Sequence, residues 1–140
     1  MQVNTNGFEY SSVAVRLPAQ DLERARVFYL EKLGLEPDEA RPGGFLYFCG
    51  GTSFGLFASS GCASGTHTQM GFEVSDLRTV VAVLRDRGVV FETYDLPGLK
   101  TVDGIAEIAG NYPSKGGKGE LAAWFKDSEG NMIGLGQALR

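Results

Sequence analysis

The residues with the most chemical capacity in this chain fall into two short stretches and a few single positions. His67, Gln69 and Glu73 recur at even spacing, so an extended strand would turn them, with Gly71, to one face. Arg16 alternates with Ala14 in the same way near the start. His67, the only histidine, has the chemistry of a general base or a polarising donor, and Gln69 that of a reader of carbonyls or amides. Arg16 suits a carboxylate or phenolate, and Trp124, the only tryptophan, supplies stacking area. Glu73 lies six residues after His67, about 20 Å along an extended strand, so the two do not form one local dyad. Glu120 opens a later strand and is a further acid or base, although a charge at a strand end equally suits a solvated position. His67 stands beside a Ser/Gly-rich loop, which equally fits a histidine in water, and Trp124 equally fits a core layer. Gly116-Gly117-Lys118-Gly119 is not a phosphate loop, because no helix with its amides and a Ser/Thr follows.

The elements that must position these groups follow one order twice. Ser12 to Ala19 alternates as a strand, and Asp21 offers its carboxylate to the first turn of a helix carrying Leu22, Ala25, Phe28, Tyr29 and Leu33 to Gly34. Phe45 to Cys49 and Ser53 to Phe57 read as two strands around Gly50-Gly51-Thr52. Thr68, Met70, Phe72 and Val74 then take one face of a strand, opposite His67, Gln69, Gly71 and Glu73. Asp76 caps a second helix with Leu77, Val80, Val81 and Leu84, closed by Gly88. The two capping aspartates are 55 residues apart, from 21 to 76. The halves differ mainly over 95–118, an insertion long enough for a lid, whose Leu96, Leu99, Ile105, Ile108 and Tyr112 favour packing on something. We read one domain, 1–140, with modules at about 10–60 and 66–140.

Composition narrows the partners. A chain of 140 residues buries roughly two thirds of its unfolded surface and needs no structural ion or disulfide. A net charge of -4 with scattered basic residues gives no field for a polyanion, so nucleic acid is not an expected partner. No apolar run approaches the roughly 20 residues of a membrane span. The polar start, Met1 to Asn6, lacks a leader's basic and apolar regions. The expected location is the cytoplasm, where Cys49 and Cys62 stay unbridged.

The ending Phe125-Lys126-Asp127-Ser128-Glu129-Gly130-Asn131-Met132-Ile133-Gly134-Leu135 resembles the closing hairpin of the vicinal oxygen chelate superfamily, which includes glyoxalase I, bleomycin resistance proteins and extradiol dioxygenases. The resemblance runs from about Ser12 to Gln137. It implies an α+β fold of two β-α-β-β-β modules, a curved mixed-sheet cup with the helices outside. Enzymes of that superfamily commonly hold a divalent ion through a residue seven before each capping Asp and a Glu three after the turn's Asn. Those positions here are Ala14, Gln69 and Gly134, and the repeat-related fourth is near Gly55. None offers an imidazole or carboxylate, so the expectation is no metal and no cofactor.

By the same resemblance Ala14, Arg16, His67, Gln69, Glu73, Trp124, Met132 and Gly134 line the cup, with volume left by Ala14, Gly55, Gly71 and Gly134. One reading is a metal-free binding protein of the bleomycin-resistance kind that takes an apolar or aromatic small molecule. Another is a lyase, isomerase or dioxygenase-type enzyme of the same superfamily. It would be metal-independent, using groups such as Arg16, His67 and Glu120, or would have a rebuilt metal site. A third is an interaction module with a collapsed cup. A homodimer is expected, since self-association covers exposed sheet edges.

Overall fold

The computed structural model describes residues 2–3 and 7–140. Met1 and residues 4–6, part of the start read above for a leader, lie outside them. A short hairpin of β1 (Gln2–Val3) and β2 (Glu9–Tyr10) precedes β3 (Val15–Ala19). The third strand begins later than its alternation suggests, because its first ladder partner is Phe54, opposite Val15. Leu17 and Ala19 point into the core, while Arg16 just before them is exposed.

Asp21 then caps α1 (Leu22–Phe28), its Oδ1 accepting from the Arg24 amide at 2.9 Å. The helix widens into a π-helical turn over Tyr29–Leu33 and stops at Gly34, whose φ of 70° suits a residue without a Cβ. β4 (Glu39–Arg41), β5 (Gly44–Cys49) and β6 (Thr52–Ala58) complete a four-stranded sheet ordered β3-β6-β5-β4. β3 runs parallel to β6, as the helical crossover between them requires, and the other pairs are antiparallel.

The second module repeats this plan. β7 (Thr68–Glu73) leads to α2 (Leu77–Asp86), capped by Asp76 and buried along Leu77, Val81 and Leu84. β8 (Asp95–Leu96), β9 (Leu99–Val102), β10 (Ile105–Ala109), β11 (Gly119–Lys126) and β12 (Met132–Leu139) follow. The sheet is ordered β7-β12-β11-β10-β9-β8, with β7 parallel to β12. Its extra width comes from the segment that sequence reads as one long insertion over 95–118. Residues 95–109 of that segment are mostly paired strand. The connection over 110–118 is pinned at its base by the Gly110 amide to the Lys118 carbonyl at 3.0 Å. Two modules, each a mixed sheet with one helix, match the α+β expectation.

A single hydrophobic core spans both modules, from Leu17, Tyr29, Tyr47, Phe54 and Leu56 to Met70, Leu77, Val81, Phe125 and Ile133. Tyr47 stacks on Phe54 at 4.7 Å, and Phe54 meets Phe72 of the other module edge-on at 5.9 Å. Polar bolts reinforce the seam where the turn between β11 and β12 reaches α1. Tyr29 donates to Asp127 Oδ2 at 2.7 Å, and Asn131 Nδ2 donates to the Pro18 carbonyl at 3.0 Å. Glu129, its side chain 1% exposed, accepts from the Asp21 amide at 3.0 Å and from Arg24 Nε at 2.8 Å. Among the described residues no helix is long and apolar enough to cross a membrane.

Candidate functional site

Strand register puts Arg16, Gly55, Leu46 and Glu39 in one row across the first sheet, on β3, β6, β5 and β4 in turn. Residues paired across a ladder share a face, and this face is opposite the one carrying Leu17, Phe54 and Tyr47 to α1. The next row carries Arg41, Gly44, Phe57 and Pro18. With Ala14 and Ser53, most of these residues enclose a pocket of about 400 Å³. Its floor is open because a Cβ on Gly55 would meet only the Phe45 carbonyl, at 3.5 Å. The Arg41 stem lies over Gly44, its Nε 3.6 Å from where a Cβ would stand, and the Arg16 guanidinium sits 5.3 Å above the Phe57 ring.

The sequence-derived site residues do not gather in one place. Ala14 and Arg16 line this pocket. Glu73 lies on the second sheet in a separate hollow with Glu120, Lys115 and Arg140, and is ion-paired with Lys115. His67 is exposed just before β7, its Nδ1 3.4 Å from Ser64 Oγ. Arg16, His67 and Glu120, the groups an enzyme reading would join, therefore stand apart.

Trp124 and Gly134, with Gly71, form the second sheet's counterpart of the first row, where the hollow is filled, and Met132 lies in the next row beside Lys126 and Thr68. A Cβ on Gly134 would lie 3.5 Å from Trp124 and 3.2 Å from the Thr68 methyl, and Tyr94 packs edge-on against Trp124 at 5.4 Å. The closeness of Thr68 corrects the alternation read from sequence. Met132 pairs with Thr68 but Ile133 with Met70, so a bulge leaves Gln69 as the extra residue and brings Thr68 to the Trp124 side. Gln69 Oε1 is buried there without a hydrogen-bond partner.

The positions implied for a metal lack the side chains to hold one. Ala14, Gly55 and Gly134 carry no donor, Trp124 and Thr68 crowd the space above Gly134, and Gln69 offers one neutral amide. Among the described residues no three His, Cys, Asp or Glu side chains converge. This donor set does not fit a divalent ion.

Strong electrostatic perturbation is found elsewhere. The Arg24 hydrogen bond, ahead of the Asp21 amide and Ser128, holds the Glu129 carboxyl down at about 2 against the opposing cost of burial. Burial pushes the Tyr47 phenol up to about 12. These groups serve the seam and the core, not the pocket.

Sequence reading missed Glu39, Arg41 and Leu46. The signal was Arg41-Pro42-Gly43-Gly44, a turn that makes a hairpin of β4 and β5.

A structure described as a glyoxalase/bleomycin resistance protein/dioxygenase from Alicyclobacillus acidocaldarius is similar, with a TM-score of 0.69 and 15% identity over 93% of this chain and 92% of that one. TnmS3, an antibiotic binding protein from Streptomyces sp. CB03234, gives a TM-score of 0.60 and 22% identity over 94% of this chain and 99% of its own. Lactoylglutathione lyase from Agrobacterium tumefaciens gives a TM-score of 0.61 and 19% identity over 92% and 94%. No curated protein matches the sequence at a significant level. These structural likenesses describe the fold; family membership rests on a sequence model matched over residues 11–135. The chain belongs to the glyoxalase/bleomycin resistance protein/dioxygenase superfamily.

Proposed function

We propose that this protein binds an apolar or aromatic small molecule, without a resident metal, in the pocket on the helix-distal face of the first sheet. The observation that carries this reading is the open floor at Gly55 and Ala14, where the superfamily resemblance implies ligands to an ion and the chain has space instead. TnmS3, named as an antibiotic binding protein, shares the fold and supports the reading as a precedent. The homodimer and the cytoplasmic location belong to the same proposal. Exposed Phe48 and Val13 beside the pocket-bearing sheet support self-association, and free Cys49 and Cys62 support a reducing compartment.

The test is Gly55→Leu. Because its Cβ has room, the new side chain enters the pocket without moving backbone. Ligand-observed NMR across a panel of aromatic compounds should find binders of the unaltered protein that Gly55→Leu weakens at least tenfold, with an unchanged circular dichroism spectrum. A panel with no binder, or binders indifferent to Gly55→Leu, overturns the proposal.

A further inference from the structure

The pocket carries a charge arrangement that its apolar floor does not explain. Arg16 and Arg41 both line it, and among the described residues neither forms an ion pair or a hydrogen bond. Four other arginines are engaged: Arg24 and Arg26 hold carboxylates, and Arg85 and Arg87 hold backbone carbonyls. Glu39, the only acidic residue among the described pocket lining, lies three strands from Arg16 in the same row, about 14 Å at backbone level, and two residues from Arg41 on the same face of β4, and is paired with neither. The lining therefore holds two cations and one anion, an excess of one positive charge in a chain whose net charge is -4.

Both guanidiniums are directed by apolar neighbours. The Phe57 ring supports Arg16 from one side and leaves its edge N–H groups for another acceptor, while the Gly44 gap lets the Arg41 stem lie down on the sheet. Planar forks held beside an uncharged floor suit an oxyanion joined to a flat apolar body.

We infer that the ligand of this pocket is an organic monoanion, an aryl or acyl carboxylate whose charged end lies between Arg16 and Arg41 and whose apolar body covers Gly55 and Leu46. This rests on the pocket being the ligand site, and it adds the ligand's chemical class.

The experiment compares benzoate and 2-naphthoate with their primary amides, which keep shape and lose charge. Affinities are measured by ligand-observed NMR for the unaltered protein, Arg16→Gln, Arg41→Gln and Gly55→Leu. Each acid should bind about tenfold or more tightly than its amide, and each arginine variant should weaken the acid by about tenfold and leave the amide unchanged. Acid binding should also weaken as salt rises. Acids and amides binding alike, with both sensitive to Gly55→Leu, overturn the anion assignment and leave the pocket standing. Acid binding indifferent to Arg16→Gln and Arg41→Gln overturns it equally. No binding by either set at Gly55-sensitive affinity removes the pocket reading and the inference with it. Because both arginines are exposed, circular dichroism of the variants should match the unaltered protein, and Arg16→Lys separates loss of the fork from loss of charge.

Discussion

The two modules place the same kind of row across their sheets and make opposite use of it. In the first, Arg16, Gly55 and Leu46 stand side by side; in the second, 55 residues further along β7, Gly71 replaces Arg16, Gly134 repeats Gly55, and Trp124 stands where Leu46 does. A leucine beside the glycine leaves a hollow, whereas an indole beside it, pressed by Thr68 and Tyr94, leaves none. The repeat therefore sets where a pocket can form, and one side chain in the third strand of the row decides whether it does. The turns differ as well. Asp127 to Asn131 is woven into the other module, while the corresponding Gly50-Gly51 turn is exposed.

The largest effect should come from breaking the seam that only the second turn makes. Glu129→Ala strips acceptors from the Asp21 amide and Arg24, and should cost about 2–3 kcal/mol, read as a lower urea midpoint at constant slope. Half-exposed Arg24 regains water, which keeps the loss below that of a fully buried pair. The same group sets an acid dependence. Its carboxyl titrates near 4.5 when free and at about 2 when folded, so the unfolded chain binds the extra proton. The stabilisation is complete above about pH 4.5 and fades as pH falls toward 2. Glu129→Gln should flatten the urea midpoint across that window; an equally steep decline in the variant would place the acid sensitivity elsewhere.

Exchanging the row residues sharpens the contrast in filling. Leu46→Trp should close the first hollow and weaken aromatic probes at least tenfold, about 1.4 kcal/mol, with the fold intact by circular dichroism. Trp124→Leu should open space above Gly134 and leave binding in the first module unchanged. Probes that ignore Leu46→Trp would show that the difference between the rows has no bearing on binding. The smallest effect is expected for Tyr29→Phe, which removes one of several donors to Asp127 and should cost about 1 kcal/mol by chemical denaturation.

What was legible in the sequence was local. Asp21 and Asp76 act within three residues, and their amide partners are found where the spacing puts them. β4 was not legible, since its three residues are all exposed and give no apolar rhythm. Alternation also misplaced Thr68, because a bulge depends on the partner strand's register. The hollow itself is a property of rows, and which residue of β5 or β11 lies beside which glycine is settled by long-range pairing. Ala14 and Arg16 were found because the repeat marks their strand; Arg41 and Glu39 entered only once β4 was seen to pair with β5.

The weave between Glu129 and Arg24 joins residues 105 positions apart. On a ribosome adding about 5–20 residues per second, the first helix is made roughly 5–20 s before the carboxylate that holds it. During that interval the amino-terminal half waits with its arginine in water, and the nascent chain becomes one locked body only as its last two strands emerge.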